Sequence, residues 1–180
     1  MIRREFFGRL GGFDPEFYLY AEEYDLSWRL WLSGGRAVVV PGARLHHRTA
    51  AVDAGGSGEG RVTTSDSRRY YTNRNGIWVV WKNAQHVLLA LLPVQVAFLV
   101  VEALVGWLLV RRWSFVRRAY GEALMDCWRG RGHVRRERRR IRALRQRSDW
   151  WMLRFLRLRL NRWDGLVLLR RHGLPRVTKG

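Results

Sequence analysis

This chain of 180 residues contains little cysteine, few acidic residues and no apolar segment near its start. Its one cysteine, Cys127, excludes an internal disulfide and is typical of a reducing compartment. The opening sequence MIRREFFGRLGGFDPEF lacks the apolar core of a secretory signal, so we expect no signal peptide. The 15 acidic residues stand against 34 lysines and arginines, a formal net charge of +19. We therefore expect one modest domain with an appended segment, and an anionic partner such as membrane lipid, nucleic acid or a polyanionic substrate.

The excess of positive charge lies almost entirely in the C-terminal part of the chain. Residues 1–110 carry 12 Lys or Arg against 10 Asp or Glu, whereas residues 111–180 carry 22 against 5. In the sequence WWMLRFLRLRLNRW, leucines and tryptophans recur at helical spacing among arginines. A cationic helix with such an apolar face binds in the headgroup layer of a membrane. We predict that the following residues contact an anionic membrane surface: Arg111, Arg112, Trp150, Trp151, Arg154 and Arg157.

The apolar stretch 87–110, VLLALLPVQVAFLVVEALVGWLLV, is long enough to cross a bilayer. Four residues interrupt it: Pro93, Gln95, Glu102 and Gly106. A single crossing would also separate the basic tail from residues 1–80, although we expect both on the cytoplasmic side. A re-entrant or in-plane hairpin bent near Pro93 or Gly106 avoids this conflict, and a buried core helix is the alternative. We therefore predict a peripheral or re-entrant location at the cytoplasmic face of the cell membrane.

Changes in composition divide the chain into four segments. In the first, Glu22 to Leu32 has helical spacing with Gly34-Gly35 as a stop signal, and Ala37 to Val40 predicts a buried strand. The segments are 1–52, a globular portion; 53–67, a Gly- and Ser-rich mobile loop; 68–110, a helical segment that includes the apolar stretch; and 111–180, an Arg- and Trp-rich amphipathic helical tail.

Three carboxylates, Glu22, Glu23 and Asp25, follow an aromatic run at the start of the predicted helix. Like-charged neighbours raise the pKa of a carboxylate, which makes it more basic, as a general base requires. The positive end of the helix dipole has the opposite effect and keeps the carboxylates ionised. The simpler interpretation is an acidic first turn. Asp25 also lies four residues before Arg29, a favourable helical ion pair, which favours a structural or orienting role for Asp25.

The order of residues from GGFDPEF to PGARLHH resembles the acceptor-side segment of family 2 glycosyltransferases, particularly the rhamnosyltransferase-like branch. The pattern of that family is approximately Gly-Gly-Phe-Asp-Glu, then Phe-x-Tyr-x-Glu-Asp-x-Asp-Leu-x-x-Arg, Pro-x-Ala and a His. The matching residues are Gly11, Gly12, Phe13, Asp14, Tyr20, Glu22, Asp25, Leu26, Arg29, Pro41, Ala43 and His47. The sequence YYTNRNGIWVVWKN resembles the helix that follows, with Arg74-Asn75 and Lys82-Asn83. The resemblance covers about residues 1–85.

The resemblance implies an α/β fold, a partial GT-A glycosyltransferase domain, followed by a mostly α-helical, basic, membrane-associated C-terminal region. It implies transfer of a hexosyl group, with rhamnosyl as one candidate, from a nucleotide sugar to a glycan or lipid-linked acceptor in cell-envelope polysaccharide synthesis. Glu23 stands where the family has its Asp base, so its arm is one methylene longer and its reach differs. Glu22 and Asp25 would shape its electrostatic field.

The resemblance also implies binding residues. His47 would contact the metal or the sugar diphosphate; without the family pattern, a histidine at this place is more often a loop residue. From their own chemistry, Arg48 could hold a phosphate and Trp28 could stack on an acceptor sugar, although Trp28 also suits a core position, and Arg29 is a further candidate for substrate binding. The family holds a divalent Mg or Mn ion with an Asp-x-Asp motif, which this chain lacks. We therefore expect a C-terminal portion of such an enzyme, as a truncated gene model, a gene remnant, or a piece that works with a partner such as an N-terminal nucleotide-binding half.

Two other classes of function remain as alternatives. A non-catalytic, membrane-associated interaction module would keep the basic tail and have no use for Glu23 or His47. A nucleic-acid-binding protein would use the run RRERRRIRALRQR, residues 135–147, although the sequence carries no known reading motif beside it. A third interpretation of the tail is a basic helix that docks on the protein itself.

Overall fold

The computed structural model describes residues 2–44, 46, 63–155 and 176–178. Helices account for nearly all of the regular structure in these residues. The helices are α1 (Arg4–Leu10), a 3₁₀ turn (Pro15–Phe17), α2 (Glu22–Leu32), α3 (Asp66–Asn83), α4 (His86–Leu89), α5 (Leu91–Val110), α6 (Trp113–Val116), a π-helical segment (Arg117–Glu122), α7 (Ala123–Arg129), α8 (Arg131–Leu144) and α9 (Asp149–Leu153). Strand β1 (Thr63–Ser65) pairs in parallel with β2 (Arg176–Thr178).

The prediction of an α/β fold containing part of a GT-A domain is wrong for these residues. Their strands amount to one pair of three-residue segments, and the predicted buried strand from Ala37 to Val40 is not a strand. Val38 and Val39 are 81% and 92% exposed. A strand needs a neighbour to satisfy its backbone groups, and no other described residue pairs with this segment. The apolar run predicted a strand buried in a sheet, but the described residues contain no sheet that includes this segment.

Helix α2 begins and ends where the sequence predicts. Its first turn carries three acidic side chains, which complement the positive end of the helix dipole. At its C-terminal end Gly34 has a φ of 87°, a left-handed conformation that favours glycine. The Gly34 and Gly35 N–H groups donate to the carbonyls of Trp31 and Leu30 at 3.2 and 3.0 Å. This part of the prediction is confirmed because its signals are local.

Helix α3 is the element around which the others pack. It contacts α2, α5, the π-helical segment, α7 and α8. Its middle carries Ile77, Trp78 and Val79 into the main hydrophobic core, where they meet Phe17 and residues of the C-terminal helices. The Ser65 hydroxyl caps its start by accepting from the Arg68 N–H at 3.1 Å. Of the predicted mobile loop, residues 53–62 lie outside the described part, while 63–65 form β1 and α3 begins at Asp66.

Several arginines of the basic C-terminal part bind carbonyl groups of the protein itself. Arg138 Nη1 donates to the carbonyls of Trp81 and Ala84, each at 2.5 Å, at the end of α3. Arg147 donates to the carbonyls of Gly34 and Gly35, each at 3.0 Å, just beyond α2. Carbonyls at helix ends lack intrahelical partners and carry partial negative charge. Part of the positive charge that the sequence suggested for an external anion therefore stabilises the fold.

The apolar stretch forms α4 and α5, separated at Ala90. Pro93 has no N–H to donate to the carbonyl of Leu89, which explains a break one turn before it. The backbone of Ala90 stays in the right-handed helical region, so the chain does not reverse there. Helix α5 then runs through Pro93 and Gly106, and the predicted hairpin bend is absent. Within the described residues, the run His86–Val110 is long and apolar enough to cross a membrane.

Candidate functional site

Asp25, one of the three predicted catalytic carboxylates, lies in a buried ionic cluster. The cluster is formed by Asp14, Asp25, Arg29, Lys82 and Asn83. Asp25 Oδ2 accepts from Arg29 Nε at 3.0 Å, from Arg29 Nη2 at 2.8 Å and from Lys82 Nζ at 3.2 Å. Its Oδ1 accepts from Asn83 Nδ2 at 2.8 Å. Asp25 is fully buried, so both of its oxygens are committed to protein donors. This geometry fits an orienting role for Asp25.

The cluster pairs two acids with two bases and reaches four helices. Lys82 Nζ also donates to Asp14 Oδ2, and His133 Nε2 of α8 lies 2.8 Å from the same oxygen. Burial tends to raise the pKa of Asp14, but the hydrogen bonds and charges of Lys82 and His133 outweigh it, so the pKa lies below its ordinary value. Arg29 donates further to the carbonyls of Leu10 and Gly12, at 2.5 and 2.8 Å. The predicted substrate-binding Arg29 is thus buried in the framework.

The turn that precedes α2 has an unusual backbone. Tyr18, Tyr20 and Ala21 have φ angles of 59°, 66° and 68°, a region that residues other than glycine seldom occupy. Such strain persists only where surrounding contacts hold it, and it is concentrated at functional sites. Residues 18–21, which we call the strained turn, lead directly into Glu22 and Glu23.

Asn75 holds the strained turn from α3. Its Nδ2 lies 2.9, 2.7 and 2.8 Å from the carbonyl oxygens of Phe17, Leu19 and Tyr20. Arg74 Nε donates to Asn75 Oδ1 at 2.9 Å, which orients the amide, and Arg74 Nη2 donates to the Glu16 carbonyl at 2.6 Å. Sequence reasoning assigned no role to Asn75 or Asn83. The available signal was two pairs of a basic residue and Asn, RN and KN, eight residues apart on one helix.

Glu22 and Glu23 stand apart from the ionic cluster. The Glu23 side chain is exposed at the first turn of α2. Glu22 is half-buried, and its Oε2 is buried with no hydrogen-bond partner. A carboxylate without protein donors keeps lone pairs available for an incoming proton. Of the three predicted catalytic carboxylates, the exposed Glu23 is therefore the one that a substrate could reach.

The other predicted site residues lie in several surroundings. Trp28 is half-buried and packs against both hydrophobic clusters, so its stacking on a sugar stays a prediction. Arg111, Trp150 and Arg154 are exposed, whereas Arg112 and Trp151 are half-buried. The Arg154 guanidinium lies 4.7 Å from the centre of the Trp151 ring. Outside the described residues lie His47, Arg48 and Arg157.

A polar cavity of about 280 Å³ lies beside the strained turn, between α3, the π-helical segment and α7. It is lined by Ser67, Tyr70, Tyr71, Arg118, Glu122 and Asp126. Tyr71 stacks on Tyr18 of the strained turn with ring centres 5.4 Å apart. Tyr70 donates to Asp126 Oδ2 at 2.6 Å; burial and this hydrogen bond raise the pKa of Tyr70 to about 12. Hydroxyl, carboxylate and guanidinium groups beside aromatic rings can bind sugar hydroxyls.

The divalent metal implied by the resemblance does not fit the described residues. Among them no group of three or more His, Cys, Asp or Glu side chains could hold a metal ion. Asp14 and His133 lie together, but the Lys82 ammonium contacts the same carboxylate and would repel a cation. No chemical step is therefore assigned to a metal here.

The chain is similar over a short segment to known glycosyltransferases. It is 45% identical over 49 residues to the N-acetylglucosaminyl-diphospho-decaprenol L-rhamnosyltransferase of Mycobacterium tuberculosis, which covers 27% of this chain and 16% of that protein. It is 45% identical over 47 residues to polypeptide N-acetylgalactosaminyltransferase 8 of Drosophila melanogaster, and 36% identical over 47 residues to polypeptide N-acetylgalactosaminyltransferase 10 of Homo sapiens. Each of these segments covers 26% of this chain and 8% of the other protein.

These matches support a partial similarity to glycosyltransferases and do not test the expected donor, acceptor or catalytic residues. No family model and no solved structure matches the chain. The matched segment spans about a sixth of the rhamnosyltransferase and less of the others. The chain therefore has partial similarity to glycosyltransferases, and that similarity includes a rhamnosyltransferase.

Proposed function

We propose that this chain takes part in the transfer of a hexosyl group, with rhamnosyl as the first candidate, from a nucleotide sugar to a glycan or lipid-linked acceptor in cell-envelope polysaccharide synthesis. The observation that carries the proposal is the exposed Glu23 at the start of α2, outside the ionic cluster and next to the strained turn. The partial similarity to glycosyltransferases, one of which is named for a diphospho-decaprenol acceptor, supports the reaction class.

In the proposed reaction Glu23 is the general base. The acceptor hydroxyl attacks the anomeric carbon of the donor sugar and gives its proton to the Glu23 carboxylate. The bond between the anomeric carbon and the diphosphate breaks, and the nucleoside diphosphate leaves with the electron pair. Glu22 places a second negative charge beside this base, and Asp25 orients α2 through the ionic cluster. A positioned base of this kind contributes roughly 10²- to 10⁴-fold to the rate.

We propose that the acceptor sugar binds in the cavity beside the strained turn. Tyr70, Tyr71, Arg118 and Asp126 offer hydrogen-bonding groups and ring faces of the kind that bind a sugar. For the donor side, we propose that an N-terminal nucleotide-binding half contributes to holding the nucleotide sugar, since this chain has no Asp-x-Asp motif. His47 and Arg48 stay proposed contacts of the diphosphate.

We place the reaction at the cytoplasmic face of the cell membrane, where a lipid-linked acceptor would be present. The long apolar run in α4 and α5 and the basic net charge support this location. Binding of nucleic acid is less well supported, because Arg138, Arg145 and Arg147 already donate to backbone carbonyls within the protein.

The test is a Glu23→Gln replacement in the native gene, which keeps any partner in place. The measurement is incorporation of labelled sugar from nucleotide donors into lipid-linked and polymeric glycans. We expect at least about a 100-fold loss of transfer, because the amide cannot accept the proton. Ser27→Ala, also exposed on α2, is the matched control and should transfer normally. Normal incorporation in the Glu23→Gln strain would contradict the proposal.

A further inference from the structure

Helix α5 has one face that packs on the protein. Leu99 is buried at its centre, and Leu92, Val96 and Ala103 pack against the main core. Both polar side chains of this helix belong to the same face. Glu102 pairs with Arg69 of α3 at 3.0 Å. Gln95 lies against Gly76 of α3: a Cβ atom placed on Gly76 would be 3.4 Å from the side-chain nitrogen of Gln95.

The opposite face of α5 is apolar and exposed along its whole length. It carries no charged residue, because Glu102 is the one charged side chain in the helix and belongs to the packed face. The side chains of this face are between 44% and 63% exposed: Leu91, Val94, Phe98, Val100, Val101, Leu104, Val105, Trp107, Leu108 and Leu109. A helix of this length gives an apolar strip about 30 Å long and about 10 Å wide. Exposed patches of that size mark interaction sites.

The surroundings of this strip identify lipid as its partner. Arg111 and Arg112 follow the helix directly, and Trp113 beyond them is 65% exposed. Tryptophan and arginine at the end of an apolar helix are typical of the membrane interface, where rings lie at headgroup level and cations attract anionic lipid. A second copy of the chain is disfavoured as the occupant, because each copy carries a net charge of +19.

The packing also decides how α5 would meet the bilayer. The contacts of Gly76 with Gln95 and of Arg69 with Glu102 show that α3 runs antiparallel beside the middle of α5. If α5 crossed the membrane, its midpoint would lie at the bilayer centre. The Arg69–Glu102 ion pair would then lie in hydrocarbon, which is costly for charged groups. In an in-plane orientation the ion pair stays on the side of the protein, and both ends of α5 stay on one side of the membrane.

We propose that α5 lies in the plane of an anionic membrane, with its exposed face in the boundary between headgroups and acyl chains, and does not cross the bilayer. This inference rests on the membrane location proposed above, but not on glycosyl transfer. The two therefore fail separately, since loss of transfer in Glu23→Gln says nothing of lipid binding, and the depth of α5 says nothing of catalysis.

The test measures the depth of three positions on the exposed face of α5. Val94, Val101 and Leu108 are spaced seven residues apart and are replaced singly by cysteine for an environment-sensitive fluorophore. The native Cys127 does not compete for label, because burial raises its pKa to about 12 and keeps the thiol protonated. The full chain is bound to vesicles of phosphatidylcholine and phosphatidylglycerol that contain quenchers at shallow and deep positions. Tyr24→Cys, exposed on α2, reports a position in water.

We expect equal, shallow depths at the three positions of α5. A crossing helix would instead separate the outer two positions by about 21 Å along the membrane normal. Graded depths would overturn the proposal, as would failure of the full chain to bind these vesicles.

A charge placed in the strip tests the same surface by affinity. Val101→Glu should lower the fraction bound to vesicles about tenfold, because it places a carboxylate where the unmodified chain would make an apolar contact with lipid. Tyr24→Glu introduces the same charge on α2 and is the matched control, which should bind as the unmodified chain does. Equal binding by Val101→Glu and Tyr24→Glu would show that the strip does not contact lipid.

Discussion

Four of the carboxylates between residues 14 and 25 form two groups with different surroundings. Asp14 and Asp25 are buried and share Lys82, whereas Glu23 is exposed and Glu22 has an oxygen without a partner. Buried charges are tolerated where each charged oxygen finds a donor, and both oxygens of Asp14 and of Asp25 accept hydrogen bonds. In the second group, the exposed carboxylate of Glu23 is accessible from outside the protein. The aspartates therefore stabilise the fold, whereas the proposed chemistry depends on Glu23, although both groups lie close together in the sequence.

The largest effect on stability is expected from Asp25→Asn. Removing this charge leaves Arg29 and Lys82 buried with insufficient compensation, so the free energy of unfolding should fall by about 3–5 kcal/mol. Glu23→Gln, the same change of acid to amide on the same helix, should alter it by no more than about 0.5 kcal/mol. Denaturant unfolding of both variants measures the difference. Similar losses in the two proteins would remove the distinction between the groups.

A smaller loss is expected from Asn75→Ala. The strained turn would lose its amide donor, and the free energy of unfolding should fall by about 1–3 kcal/mol. Asn73→Ala is the control, since Asn73 is also a buried amide of α3 but donates to Ala119 instead. Hydrogen exchange should accelerate at residues 18–21 in Asn75→Ala and stay unchanged there in Asn73→Ala. Equal exchange in both variants would show that Asn75 does not hold the turn.

The pH dependence of the free energy of unfolding tests the structural role of Asp14 in the buried group. Because the pKa of Asp14 is lower in the folded protein than its ordinary value of 3.8, its ionised form stabilises the fold above that value. This contribution is lost as the pH falls below 3.8 through the folded pKa. Asp14→Asn should therefore be less stable than the unmodified chain at neutral pH, with the difference shrinking in acid. A difference that stays constant down to the acid limit of folding would contradict the assignment.

The smallest effect is expected at the cavity, from Tyr70→Phe. The pKa of Tyr70 is raised by burial and by Asp126 to about 12, so its contribution to stability is complete below its ordinary pKa of 10.0 and is lost as the pH rises towards 12. Ultraviolet titration should show one late-ionising tyrosine fewer in the variant. Tyr120, whose pKa burial also raises, remains in both proteins as a reference. Identical titration curves would show that Tyr70 ionises normally.

The sequence predicted those features that depend on neighbouring residues. The bounds of α2 and the spacing of Asp25 and Arg29 follow from local helical signals, and the structure confirms both. The strand from Ala37 to Val40 was predicted wrongly, because an apolar run indicates burial without showing what would cover it. An external anion stays a predicted partner of the basic tail, while Arg138 and Arg147 bind carbonyls of the protein itself, at the end of α3 and after α2.

The candidate site shows the same limit. The cluster of acids was visible in the sequence, but its division into two groups was not, because Lys82 and His133 reach it from 68 and 119 residues away along the chain. The positive φ angles of Tyr18, Tyr20 and Ala21 carry no glycine signature, so local reasoning gives no sign of the strained turn. Contacts of long sequence separation impose both features.

The most direct test of this division is to measure transfer and stability together in Glu23→Gln and Asp25→Asn, using membranes that contain the full chain and labelled nucleotide sugars. We expect Glu23→Gln to unfold as the unmodified chain does, while its transfer falls by at least about 100-fold. We expect Asp25→Asn to lose stability first, with any loss of transfer following the loss of folded protein. Full transfer by a stable Glu23→Gln protein would contradict the proposal that the exposed glutamate is the general base.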